Sequence, residues 1–159
     1  MALVGKHCLL ELDGCSVSLL DDHDFIQRAL REASEVSGAT VLQVVTHHFE
    51  PQGVTALGLL SESHISLHTW PENGYAAADI FTCGDKCDPE KACEYLASAF
   101  EAREHSLLVL PRGSATGFPS INLSRPSSPR ETGVTEPQSG ASKVKDVSCP
   151  EAKYAQTSG

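Results

Sequence analysis

Three strand-length runs separated by short turn signals constrain this chain more than any other feature: Val54 to Leu60, His64 to Trp70 and Tyr75 to Phe81. Ser61-Glu62-Ser63 and Pro71-Glu72-Asn73-Gly74 are the only residues between them. Links that short join neighbouring strands as hairpins and leave no room for a crossover helix. Side chains alternate along a strand, so in the second run Ile65 and Leu67 face one way while His64, Ser66, His68 and Trp70 face the other. One face of the sheet is therefore core and the other polar and aromatic. The Ala76-Ala77-Ala78 run of the third strand permits close approach by something bulky.

Two helices and three more strands are expected around this centre. Residues 5–12 read as a strand ended by the turn pair Asp13-Gly14. Asp21, Asp22 and Asp24 supply acceptors for a helix N-terminus, and Ile26, Ala29, Leu30 and Ala33 recur at helical spacing until Gly38 stops the helix. Residues 39–49 are rich in β-branched side chains and read as a strand, with Pro51-Gln52-Gly53 as the turn out of it. Asp88-Pro89 opens the second helix, whose buried stripe is Ala92, Tyr95, Leu96, Ala99 and Phe100. Residues 106–110 form the last strand. The expected fold is α+β, a two-layer sandwich of a mainly antiparallel sheet with two helices on one face. Residues 1–118 are expected to make this domain, and 119–159, dominated by Ser, Pro, Gly, Thr and charges, a low-complexity and disordered tail.

Charge and composition narrow the function. Twelve Lys plus Arg against 21 Asp plus Glu leave a net charge of -9, which argues against nucleic acid and against an anionic membrane surface. No run of about 18 apolar residues is present, and Met1 to Lys6 lacks the basic-then-apolar pattern of an export signal, so the default compartment is the cytoplasm. In that setting Cys8, Cys15, Cys83, Cys87, Cys93 and Cys149 are expected to be free thiols. Cys83 and Cys87 form a lone C-x3-C, a weak zinc pattern without a second pair.

Chemistry-bearing residues concentrate between Ser61 and Gly84. Ser61-Glu62-Ser63-His64-Ile65-Ser66-Leu67-His68-Thr69-Trp70-Pro71-Glu72 and Phe81-Thr82-Cys83-Gly84 hold hydroxyls, histidines, a tryptophan, carboxylates and a thiol. Singly, each has an innocent reading: a turn serine, a hydrogen-bonded strand histidine, a core aromatic, a small buried thiol. Together they offer a hydroxyl able to attack its own backbone, a base to complete that reaction and a later proton donor.

In this order the residues resemble the prokaryotic S-adenosylmethionine decarboxylase proenzymes. The resemblance continues through Gly74-Tyr75-Ala76-Ala77 and Asp79 to Gly84, and upstream through Gly38-Ala39-Thr40, His47-His48-Phe49, Pro51-Gln52-Gly53-Val54-Thr55 and Gly5-Lys6-His7. It covers about residues 3–112.

The resemblance implies a self-cleaving enzyme that makes its own cofactor and decarboxylates S-adenosylmethionine to the aminopropyl donor for spermidine. Ser63 would attack the carbonyl of Glu62, converting the amide to an ester. His68 would remove the α proton of Ser63, and elimination and hydrolysis would leave a covalent pyruvoyl group at the start of an α chain from residue 63, with residues 1–62 as the β chain. Thr55 stands where many members carry serine, a hydroxyl that stabilises the processing intermediate; threonine keeps the donor and stiffens χ1. The pyruvoyl group would hold substrate as a Schiff base, and Cys83 would return the proton after carbon dioxide leaves. Glu72 would accept from the ribose hydroxyls, Phe49 would lie against the adenine or sulfonium, and Trp70 would add a second aromatic wall. Family members self-associate as two α and two β chains with active sites at or near the protomer interface. His7 and His64 receive no role. Three alternatives remain open: a pyruvoyl-dependent arginine or ornithine decarboxylase, a regulatory paralogue that never processes, and a Cys/His metal protein.

Overall fold

A computed structural model describes residues 4–113. In chain order these form β1 (Gly5–Asp13), α1 (Val17–Leu20), α2 (His23–Val36), β2 (Val41–His48), β3 (Val54–Leu60), β4 (Ser63–Trp70), a 3-10 turn at Pro71–Asn73, β5 (Tyr75–Cys83), α3 (Pro89–Ala99) and β6 (Glu104–Arg112). The six strands make one sheet in the order β2-β3-β4-β5-β1-β6, with every neighbouring pair antiparallel. The expected tail over 119–159, and Cys149 within it, lie outside the described residues.

Local chemistry sets the helix ends. The Asp22 carboxylate accepts the Phe25 N–H at 2.9 Å and caps α2, while Gly38, at φ 81°, turns the chain out of its C-terminus. Pro89 occupies the first turn of α3, where its missing N–H costs nothing. The extra four-residue helix α1, absent from the sequence reading, ends in the buried Leu20 and leads into the α2 cap. A single turn is too short for hydrophobic periodicity to reveal it.

Both long helices pack on one face of the sheet. Ile26, Leu30, Leu96 and Phe100 meet Leu10, Leu12, Leu67 and Ile80, all at most 1% exposed. Phe25 stands edge-on to Phe100 with ring centroids 5.2 Å apart. Cys8, Cys15, Cys83, Cys87 and Cys93 are free. The Cys8 and Cys93 thiols hydrogen-bond between β1 and α3, and that bond together with burial pushes the Cys93 thiol far up.

Among the described residues no helix covers the opposite sheet face. Val45, Leu57, Leu59 and Leu108 stand about half exposed there, at 50–54%. Val45 and Leu57 are cross-strand partners beside Leu59 at the β2–β3 edge of that face, while Leu108 stands on β6 at the other edge.

One glycine marks the tightest approach on the helix-covered side. A Cβ on Gly58 would sit 2.6 Å from Cγ2 of Ile65, a β-branched side chain with little rotamer freedom. Gly58→Ala is expected to destabilise the fold by about 1–3 kcal/mol from overpacking, read as a lower urea midpoint with an unchanged slope.

Candidate active site

The first group of site residues gathers where β3 turns into β4. The Ser61 N–H donates to the Thr40 carbonyl at 2.9 Å, and the Thr40 N–H donates back to the Glu62 carboxylate, also at 2.9 Å. The Glu62 carbonyl accepts the Cys83 N–H at 3.0 Å. Ser63 follows with φ 156°, a backbone conformation that L-residues rarely adopt and that only surrounding structure sustains. The antiparallel registers of β4 with β3 and β5 supply that constraint, pairing Ser63 with Leu60 on one side and Thr82 on the other. Ser63 Oγ lies 3.1 Å from His64 Nδ1.

Beyond Ser63 the open face is polar and aromatic. Phe81 contacts both His64 and His7, with ring centroids 6.0 and 5.7 Å apart, and the Arg112 guanidinium lies 5.3 Å from the Phe81 centroid. Arg112 also donates to His7 Nδ1 at 2.9 Å, and Asp79 approaches His7 Nε2 at 3.4 Å. Thr82 Oγ1 is buried without a hydrogen-bond partner.

The second group surrounds a cavity of about 340 Å³ at the other end of β4. Phe49, Gln52, Thr55, His68, Trp70 and Glu72 line it. Register pairs Thr55 with His68 across β3 and β4, and Thr55 Oγ1 lies 2.9 Å from His68 Nδ1. Gln52 donates its carboxamide N–H to Glu72 at 3.1 Å. Beneath the cavity the buried Thr69 hydroxyl donates to the Leu20 carbonyl at 2.7 Å and accepts the Val54 N–H at 2.8 Å, tying β4 to α1 and β3.

Phe49 and Trp70 are 47% and 39% exposed, so they are cavity walls and not core. Trp70 stacks at a tilt against Tyr75, centroids 5.3 Å apart. The Tyr75 hydroxyl donates to Glu11, which pushes its pKa up to about 12 and keeps it a neutral donor. Asp21, in sequence a helix-start acceptor, anchors the loop carrying Phe49 and Gln52: its Oδ1 accepts the Gly53 N–H at 2.8 Å and lies 3.0 Å from His48 Nε2. Gln52, in sequence a turn residue, reaches Glu72. Neither role leaves a periodic signal, because both depend on a loop folding back.

The residues singled out in the sequence therefore fall into two groups. Glu62, Ser63 and Cys83 meet at one end of β4; Phe49, Thr55, His68, Trp70 and Glu72 meet at the other. Five steps along extended chain separate Ser63 from His68, roughly 17 Å at strand spacing. His68 is therefore out of reach of the Ser63 hydroxyl of the same chain, and the histidine beside that hydroxyl is His64.

Among the described residues no three His, Cys, Asp or Glu side chains converge as metal ligands, and no helix is long and apolar enough to cross a membrane.

Residues 6–113 match the family model described as S-adenosylmethionine decarboxylase. The chain is 49% identical over 128 residues to the S-adenosylmethionine decarboxylase proenzyme of Synechococcus sp. (strain WH7803), covering 80% of this chain and 100% of that one. It is 54% identical over 110 residues to the proenzyme of Prochlorococcus marinus (strain MIT 9211), covering 69% and 90%. Its structure is similar to the crystal structure of the adenosylmethionine decarboxylase from Aquifex aeolicus VF5, with a TM-score of 0.67 and 33% identity over 71% of this chain and 93% of that one.

Because Trp70 is the chain's single tryptophan and lines the cavity, intrinsic fluorescence reports on occupancy there. A nucleoside ligand that fills the cavity is expected to change that emission in proportion to binding. A Glu72→Ala variant should require about tenfold more ligand for the same change, the loss of one charged hydrogen-bond acceptor.

Proposed function

The chain belongs to the S-adenosylmethionine decarboxylase family, and from that premise we propose that its two half-sites are parts of one composite centre completed by a second copy. It is a decarboxylase of S-adenosylmethionine made as a proenzyme, supplying the aminopropyl donor for spermidine. The carrying observation is the separation along β4: Ser63 sits at one end of the strand and His68, with the cavity lined by Phe49, Trp70 and Glu72, toward the other.

A two-fold axis relating two open sheet faces resolves this separation. In an antiparallel face-to-face arrangement the Ser63 end of one chain lies over the His68 end of the other, and symmetry creates two complete centres at once. The half-exposed Val45, Leu57, Leu59 and Leu108 provide the apolar surface for that contact. After cleavage each protomer is a β chain and an α chain, giving two of each in the assembly. The cut chains stay joined, because β1 of the first pairs with β5 and β6 of the second, and β3 pairs with β4.

Processing starts at the strained Ser63. Its Oγ adds to the Glu62 carbonyl carbon, the C–N bond breaks, and the hydroxyl proton passes to the freed amine, leaving an ester. The Cys83 N–H, 3.0 Å from the Glu62 carbonyl oxygen, stabilises the negative charge that develops there. Thr55 of the second copy offers a further hydroxyl to the same oxygen. His68 of the second copy, held by its own Thr55 at 2.9 Å, takes the α proton of Ser63. The Cβ–Oγ bond then breaks, Glu62 departs as a carboxylate, and hydrolysis with loss of ammonia leaves the pyruvoyl group.

Glu62 and Ser63 fit that outcome, since the carbonyl is already held by a backbone donor and Ser63 lies half-buried at the start of its strand. The group left at residue 63 would be a pyruvoyl ketone, whose chemistry is to bond an amine and accept electrons. Cys83, from the same end of the sheet, delivers a proton to the substrate α carbon. Glu72 accepts from the ribose hydroxyls, and Phe49 and Trp70 present π faces to the adenine and sulfonium. A cavity of about 340 Å³ with these walls favours a nucleoside over arginine or ornithine.

Ser63→Ala is expected to remain a single full-length chain by intact mass, whereas Cys83→Ala cleaves but loses about 100-fold or more in turnover. Co-expressing Ser63→Ala with His68→Ala tests the composite centre. Cleavage of the His68→Ala chain in mixed assemblies is expected, since the Ser63→Ala partner still supplies the base. No cleavage of either chain would place base and nucleophile in one protomer. Carbon dioxide released from carboxyl-labelled S-adenosylmethionine identifies the substrate, and release from arginine alone would overturn the assignment.

A further inference from the structure

The Glu62 side chain has no part in the steps above, which use only its carbonyl. Yet its carboxylate is not free in solvent. It accepts the Thr40 N–H at 2.9 Å, one residue before β2, while the Thr40 carbonyl accepts the Ser61 N–H at 2.9 Å. With the bond from Cys83 N–H to the Glu62 carbonyl, three contacts hold the acyl half of the Glu62–Ser63 peptide. Two come from β2's entry and one from the end of β5, so the residue is pinned between the edge and the centre of the sheet.

We infer that the Glu62 carboxylate is a positioning residue for self-cleavage: its bond to Thr40 fixes the plane of the scissile carbonyl against the Ser63 hydroxyl. The physical need is specific. An N-to-O shift requires Oγ to approach the carbonyl carbon from outside the peptide plane, and rotation about the Glu62 backbone moves that plane. β3 ends at Leu60 and β4 begins at Ser63, so Glu62 lies in the two-residue turn where ladder bonds do not control its dihedrals. A side chain returning to Thr40 replaces the missing ladder constraint. Ser63 itself holds a rare φ of 156°, which small rotations at Glu62 would relax. The role needs an acceptor oxygen at this reach and no charge, so glutamine should serve and alanine should not.

The inference rests on Ser63 attacking Glu62, and the experiment separates the two claims. In a His68→Ala background elimination is blocked and the ester forms reversibly. Hydroxylamine added to this protein attacks the ester, leaving Glu62 as a hydroxamate and Ser63 with a free amine and its hydroxyl. The rate of that cleavage reports on the acyl shift alone. Glu62→Ala is expected to slow it about tenfold or more, and Glu62→Gln to keep it within about twofold of Glu62. Melting temperatures of the same substitutions in uncleavable Ser63→Ala protein should agree, which separates positioning from loss of fold. An unchanged rate with alanine, or glutamine as slow as alanine, would overturn the positioning role. Failure of hydroxylamine to cut between Glu62 and Ser63 in the Glu62-containing parent would instead overturn attack by Ser63.

Discussion

The register of β4 between β3 and β5 is the constraint on which the rest of the structure depends. Backbone hydrogen bonds on both sides fix where Ser63 begins the strand and which residue stands across from it. Just beyond that ladder the Cys83 N–H meets the Glu62 carbonyl. A slip of one residue would turn Ile65 and Leu67 out of the core and carry His68 to the helix side. The core contacts of Leu67 and Ile80 thereby also leave His64, Ser66 and His68 on the open face.

That register has a geometric consequence. A strand is rigid and extended, so residues placed along it do not converge on one another. Thr55 meets His68 because they are cross-strand partners; Ser63 and His68 remain apart because they share a strand. A centre that uses both needs a second surface. The apolar residues left uncovered on the same face are the feature through which the proposed two-fold packing would supply it. Order of hydrogen bonding also explains how a chain can be cut in its middle without falling apart: β1 lies between β5 and β6, on the far side of the proposed cleavage point.

Much of this was legible without coordinates. Short turns on either side of His64 to Trp70 implied a meander, and alternation within it separated Ile65 and Leu67 from His64, Ser66 and His68. The helices followed from caps and periodic stripes, with the first ending at Gly38 and the second opening at Pro89. The single-turn α1 leaves no mark in the sequence, because four residues carry no period. Asp21 and Gln52 carry the local signals of a helix-start acceptor and a turn residue; their contacts with Gly53 and Glu72 arise only when the loop folds back across the sheet. The Glu62 carboxylate bond to Thr40 joins residues 22 apart, a separation that no local rule anticipates.

Sequence alone determined the periodicities, and so the strands, the two long helices, the core face and the order of the chemistry-bearing residues, because these depend on local sterics and on which side chains water rejects. It also carried the family resemblance, since that resides in residue identity and spacing. Tertiary structure alone decided which of those residues meet. Strand pairing brought Glu62 to Cys83 and Thr55 to His68, and strand rigidity kept Ser63 from His68, because distance in a sheet is set by register and not by separation along the chain.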